Sequence, residues 1–183
     1  MGSFRFVGYA IVSADGMLAG PDHVMPKSLK VPGDQTFFEA ALDGPDLIVH
    51  GRNSYEDQPR SPLRRRVFLT RSVTTPVRDP DHPNATLWNP AHAPIEDAAS
   101  VAGVTHGTIA AIGGTSVFDM FLDRYDTFYL SQAPHVQLPG GVPVFSGIPH
   151  RSPEDILSAH GLKPAVRRVL DTEHDATVTE WKR

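Results

Sequence analysis

Asp34 stands just ahead of the aromatic pair Phe37 and Phe38, at the start of an expected helix. A carboxylate held in an apolar cavity has its pKa raised, and it can then hydrogen-bond the protonated ring nitrogen of a heterocycle. Aspartate also fills helix N-caps routinely, and by spacing alone the cap is the favoured role. Three more groups of reactive or hydrogen-bonding residues follow short apolar runs: Gly51-Arg52-Asn53-Ser54, Thr70-Arg71-Ser72 and Gly113-Gly114-Thr115-Ser116. The planar guanidinium of Arg52 or Arg71, flanked by Ser54, Thr70 and Ser72, suits a phosphate ester. Either arginine could equally be a solvated surface charge. The glycine pair precedes Val117, Phe118, Phe121 and Leu122, which share one helical face. A helix start of this kind offers free backbone N–H groups to an anion, although a tight strand-to-helix turn would use the same residues.

The elements that must position these residues alternate along the chain. Residues 4–13 read as a strand ended by Asp15-Gly16, and a helix is expected from Gly33-Asp34 to Gly44-Pro45, with Phe37, Phe38, Ala41 and Leu42 on one face. Further strands are expected at 47–50, 67–70, 85–88, 109–112 and 127–133, with a helix at 95–102. Residues 74–94 are rich in proline, aspartate and asparagine, and Leu138-Pro139-Gly140-Gly141-Val142-Pro143 reads as a loop. Residues 166–170 and 176–181 flank Asp171-Thr172-Glu173-His174-Asp175 as an antiparallel hairpin. This order predicts a three-layer α/β fold: a mixed, mostly parallel sheet flanked by helices and closed by a C-terminal hairpin. In such a sheet, ligands collect beyond the carboxyl ends of the strands, where the three polar junctions fall.

Composition narrows the function classes. The 183 residues fit a single domain spanning 1–183, and 40% hydrophobic content with 21% charged is ordinary for a globular protein. No apolar run reaches the roughly 18 residues of a membrane span, and no signal-peptide pattern opens the chain, so a soluble, cytoplasmic protein is expected. The absence of cysteine excludes disulfides, thiolate metal sites and a cysteine nucleophile. A net charge of −4 argues against general nucleic-acid binding. The nine histidines lack paired metal-ligand spacing and are expected mostly at the surface, so no metal site is expected. There is no Gly-x-Ser-x-Gly motif for serine hydrolysis.

Taken together, the motifs resemble the dihydrofolate reductase superfamily over most of residues 4–145. The similarity lies in Ala14-Asp15-Gly16-Met17-Leu18-Ala19, Met25-Pro26-Lys27-Ser28-Leu29 with Asp34 and Phe38, Gly51-Arg52-Asn53-Ser54-Tyr55-Glu56, Ile112-Gly113-Gly114 with Val117-Phe118, and Tyr129-Leu130-Ser131. The resemblance implies a dihydrofolate reductase-like fold and hydride transfer from NADPH to a nitrogen heterocycle. It further implies that Asp34 promotes substrate protonation with support from Ser131, that Met25, Phe38 and Arg64 contact the substrate, and that Arg52, Asn53, Ser54, Thr70, Arg71 and Ser72 hold the adenosine half of the cofactor. Gly113, Gly114, Thr115 and Ser116 would hold its pyrophosphate. Lys27 replaces the tryptophan usual after Met-Pro, which disfavours folate. Ala133-Pro134 and the 138–145 segment are instead similar to the reductase domain of riboflavin-biosynthesis enzymes, which acts on a ribosylaminopyrimidine phosphate. The expected partner is a small-molecule substrate, with homodimer formation open. A true dihydrofolate reductase and a nucleotide-binding protein without catalysis are the alternatives.

Overall fold

Side chains alternate across the sheet from the first strand onward. In the computed structural model, which describes residues 3–52 and 60–183, β1 (Phe4–Ser13) sends Phe6 and Val12 to one face and Val7 and Ile11 to the other. The chain continues through β2 (Met17–Ala19), α1 (Pro32–Ala41), β3 (Leu47–His50), β4 (Arg66–Leu69), β5 (Val77–Arg78) and β6 (Ala85–Trp88). It then forms α2 (Ile95–Val101), β7 (Gly107–Ala111), α3 (Thr115–Met120), β8 (Tyr125–Ala133), β9 (Val142–Pro143), α4 (Pro153–Ala159), β10 (Lys163–Asp171) and β11 (Ala176–Lys182). The main sheet has the order β10-β11-β8-β1-β7-β3-β4-β6-β5. Strands β8, β1, β7, β3, β4 and β6 run parallel, while β11 and β5 run antiparallel to their neighbours. The mixed, mostly parallel sheet and the closing β10–β11 hairpin are as expected.

Two cores make the three layers. On one face, Ile95, Ala98 and Ala99 of α2, Val117 and Phe118 of α3, and Ile156 and Leu157 of α4 pack against Phe6, Leu47, Val49, Ile109, Phe128 and Leu130 of the sheet. On the other face α1 covers Val7, Ile48 and Ala110 through Leu42 and Phe38. The chain moves from β1 to β3 by way of α1, and from β7 to β8 by way of α3 on the opposite face. This is the arrangement that right-handed crossovers require. Since β1 hands the chain to one face and β7 to the other, a crevice opens between their carboxyl ends.

The structure departs from expectation in several elements. Helix α4 has no counterpart among the expected helices, although Ser152 is its N-cap, accepting a hydrogen bond from the Asp155 N–H at 3.0 Å, and Pro153 opens it. The 138–143 loop contains β9, which pairs with β2 in a separate two-stranded sheet. The short edge strand β5 lies within the proline-rich stretch. Helix α3 ends at Met120, so Phe121 and Leu122 are buried just beyond it and not on its face. Among the described residues no helix is long and apolar enough to cross a membrane.

Candidate active site

Asp34 is the third residue of α1, not its cap. Val31 occupies the N-cap position and Pro32 the first helical position. Nothing in the capping geometry therefore calls for a carboxylate at 34, and the N-cap role that spacing favours is not the one the residue takes. The Asp34 side chain turns toward the sheet and is 8% exposed. Burial pushes its pKa up to about 6, an effect only partly offset by a hydrogen bond with the Ser131 hydroxyl. Ser131 lies on β8 between Ile11 of β1 and Val178 of β11, itself almost fully buried. A carboxyl so placed holds its proton into the mildly acidic range.

Around this pair the wall is aromatic and apolar. One turn along α1, Phe38 packs edge-on to Tyr9 at 6.3 Å and joins the cluster that includes Ile112 at the end of β7. Tyr9 stacks on Tyr129 at 4.8 Å with nearly parallel rings. Burial, with the neighbouring Tyr129, pushes the Tyr9 hydroxyl up to about 12, so it stays protonated. Met25 is half-buried and packs on the cluster of Ile11, Leu29 and Val31, while Lys27 is exposed at the start of a short 3-10 turn. Arg64 is placed differently. Its guanidinium is buried under α1, where it pairs with Glu39 at 2.9 Å and Asp43 at 3.1 Å. Its charge is thus matched within the chain.

The polar junctions form a second, contiguous group at the ends of β7, β3 and β4, which are neighbours in the sheet. The Gly51 N–H donates to the Gly113 carbonyl at 2.8 Å and the Ile112 N–H to the Val49 carbonyl at 3.1 Å, so two of the junctions touch. Gly113 has φ +115°, a conformation that only glycine adopts readily, and the Gly113–Gly114 peptide is cis. The Thr115 hydroxyl donates to the Pro143 carbonyl at 2.5 Å, tying the start of α3 to β9, and Ser116 is exposed. Arg52 is exposed and donates to the Thr70 hydroxyl at 3.3 Å. That hydroxyl also lies 2.9 Å from the Ser72 hydroxyl and accepts the Ser72 N–H at 3.2 Å. Arg71 is exposed beside them. Asn53 and Ser54 lie outside the described residues. A helix of six residues contributes little dipole, so any anion at Gly113-Gly114 would be held by loop N–H groups, with Arg52 and Arg71 as the nearby cations.

Sequence reasoning passes over several neighbours of this crevice. The histidines lie mostly at the surface, as expected, but His50, at the end of β3, is buried. Burial and the Arg66 charge lower its pKa to about 4, so the ring is neutral, with Nδ1 2.9 Å from the Gly51 carbonyl. Asp15 accepts from the Ser13 hydroxyl at 2.5 Å and from the Leu138 N–H at 3.0 Å, and the Ser13 oxygen accepts the Met17 N–H at 3.0 Å. These bonds hold the Asp15-Gly16 turn to the loop before β9. At the β10–β11 turn, Asp171, Glu173 and His174 place potential ligand atoms within 4.8 Å of one another, a grouping that the scattered histidines do not suggest in sequence. Both Asp171 oxygens, however, accept hydrogen bonds from the chain itself.

No family model matches the chain, and no curated protein matches it. Among solved structures it is similar to a protein from Shewanella sp. PV-4 provisionally named a riboflavin biosynthesis protein, with a TM-score of 0.61 and 21% identity over 98% of each chain. A likeness at that identity is a likeness of fold, and it extends over essentially the whole length.

Proposed function

We propose that the protein is an NADPH-dependent reductase that transfers a hydride to a small nitrogen heterocycle, of the kind reduced in riboflavin biosynthesis. The observation that carries this reading is the pairing of Asp34 with Ser131 on the α1 side of the crevice, opposite the contiguous group of Gly51, Arg52, Thr70, Ser72 and Gly113. A buried carboxyl with a pKa near 6 can hold a proton against a ring nitrogen. The second group offers what a phosphorylated dinucleotide needs: two exposed guanidiniums, hydroxyl donors, and backbone free of side chains at Gly51, Gly113 and Gly114. The name of the Shewanella protein agrees with this reading.

In this mechanism Arg52, with Thr70, Ser72 and Arg71, would hold the adenosine phosphate end of NADPH, and the segment from Gly113 to Ser116 its pyrophosphate. When bound, NADPH supplies the hydride. Phe38 and Met25 would sandwich the heterocycle against the sheet and exclude water, while Tyr9, stacked on Tyr129, supports Phe38. Asp34 would hold the proton at the nitrogen next to the carbon that is reduced, so that this carbon becomes the electrophile, and the Ser131 hydroxyl would keep the carboxyl oriented. Folate is a poorer fit, since the Arg64 guanidinium that would otherwise face a glutamate tail is buried, with its Nη2 paired to Glu39 and Asp43.

The test is a fluorescence titration of the purified protein with NADPH and NADH, followed by absorbance loss at the nicotinamide band with ribosylaminopyrimidine and dihydropterin substrates. Tight NADPH binding with turnover of a pyrimidine is expected. Tight binding without turnover of any heterocycle would leave a nucleotide-binding protein, and no binding would remove the proposal.

A further inference from the structure

Helix α1 lacks a cap of its own. Val31 makes no side-chain capping bond and Pro32 has no N–H. The first free donor of the helix, the Gly33 N–H, is met from outside by Asp171 Oδ2 of the β10–β11 turn at 3.4 Å. The approach is backbone against backbone: a Cβ at Gly33 would lie 2.1 Å from the Leu170 carbonyl oxygen and 3.0 Å from Asp171 Cβ. Asp171 is in turn fixed by its own turn, its Oδ1 accepting the His174 N–H at 3.1 Å. One turn further along α1, Phe37 lies 5.3 Å below the Arg168 guanidinium of β10. The residue that follows Gly33 is Asp34.

We propose that Asp171, acting with the close contact at Gly33, is a positioning residue for Asp34: it docks the first turn of α1 onto the C-terminal hairpin and so sets the depth of the Asp34 carboxyl against Ser131. The catalytic consequence rests on the reductase reading, whereas the docking does not. A helix start without internal caps has its register set by whatever it packs on. Here that surface is the Leu170–Asp171 backbone. If the contact opens, the helix can withdraw by a fraction of a turn, water reaches Asp34, and the carboxyl returns toward ordinary acidity.

The experiment follows the Asp34 carboxyl by ¹³C NMR titration in the full-length protein without cofactor, for wild type, Asp171→Ala, Asp171→Asn and Gly33→Ala. Asp171→Ala and Gly33→Ala are expected to lower the Asp34 midpoint by roughly half a pH unit or more, as burial is lost. Asparagine keeps an acceptor for the Gly33 N–H, so Asp171→Asn should stay near wild type. In turnover, Asp171→Ala should lower kcat by about tenfold, as small misplacement of a reacting group does, with NADPH affinity unchanged. An Asp34 midpoint that does not move in folded Asp171→Ala overturns the proposal, as does an equal loss in the alanine and asparagine variants. If Gly33→Ala does not fold, the Asp171 pair decides. Should wild type bind no NADPH while the midpoints move as stated, the reductase reading falls and the positioning role stands.

Discussion

Asp34 is where residue chemistry and stability oppose each other. Its ordinary pKa of 3.8 is raised to about 6 by burial, so the folded state holds the proton more tightly than the unfolded chain. Below pH 4 both states are protonated and the group costs nothing. As pH rises from about 4 through 6 the unfolded chain ionises first, and stability falls by up to roughly 3 kcal/mol, at about 1.4 kcal/mol for each pH unit between the two midpoints. Asp34→Asn removes that penalty, so it should raise thermal stability at pH 7 to 8 and give no gain below pH 4, a comparison that melting curves across pH make directly. The same variant should lower single-turnover hydride transfer by about a hundredfold or more while NADPH still binds, because asparagine has no proton to share with the ring. Wild-type hydride transfer should itself decline as pH rises through about 6. Arg52 tests the other side of the crevice. A charge-assisted contact contributes roughly 1.5 to 3 kcal/mol, so Arg52→Ala should cost about tenfold to a hundredfold in NADPH affinity and leave NADH affinity nearly unchanged. Equal losses for the two cofactors would remove Arg52 from the 2′-phosphate.

At the scale of elements, Gly113 and Gly114 separate two demands that the sequence presents as one. Gly113 has φ +115°, whereas Gly114 has φ −78°, which any residue tolerates. Gly113→Ala should therefore destabilise the protein by on the order of 1 kcal/mol or more and weaken NADPH binding, while Gly114→Ala should act on binding alone. Chemical denaturation and cofactor titration on the two variants would distinguish them. The same contrast explains what is legible in the sequence. The strands β1, β3, β7 and β8 are legible because buried parallel strands leave apolar runs, and the hairpin because two such runs flank a polar turn. By contrast β2 and β9 are three and two residues long and pair across the chain, too short for any periodicity to register. Helix α4 does carry a signal, in Ser152-Pro153-Glu154-Asp155, but its seven residues show barely two apolar turns. Asp34 is visible as a residue type near aromatics, whereas its burial depends on α1 crossing the sheet from the hairpin to Arg64, which no local pattern encodes. Arg64 shows the converse: three consecutive arginines look like a solvated edge, and its partners Glu39 and Asp43 lie far back along the chain, at and beyond the end of α1.

For the whole molecule the sheet is the rigid reference, and the groups assigned to cofactor and substrate meet at the carboxyl ends of its strands. Gly51, Gly113 and Thr70 sit at the ends of β3, β7 and β4, while α1 brings Phe38 against Ile112 beside that end, with Asp34 one turn away on the same helix. The β2–β9 pair is tied to Asp15 through the loop before β9 and to Thr115, beside Gly113-Gly114, through Pro143. A cofactor that spans the β7, β3 and β4 ends would bridge segments that otherwise meet through a few hydrogen bonds such as Gly51 to Gly113. It would bind only the folded chain, so linkage requires it to stabilise that chain by about 2.7 kcal/mol at a hundred times its dissociation constant. For a chain of this length each kcal/mol corresponds to roughly 2–4 °C. Saturating NADPH should thus raise the melting temperature by about 5–10 °C, and NADH at the same concentration by clearly less, since it lacks the phosphate that Arg52 and Arg71 would hold. Differential scanning fluorimetry with both nucleotides measures this without any substrate. A shift of equal size for both would remove the two arginines from cofactor selection, and no shift for either would mean that the crevice is not built for a dinucleotide.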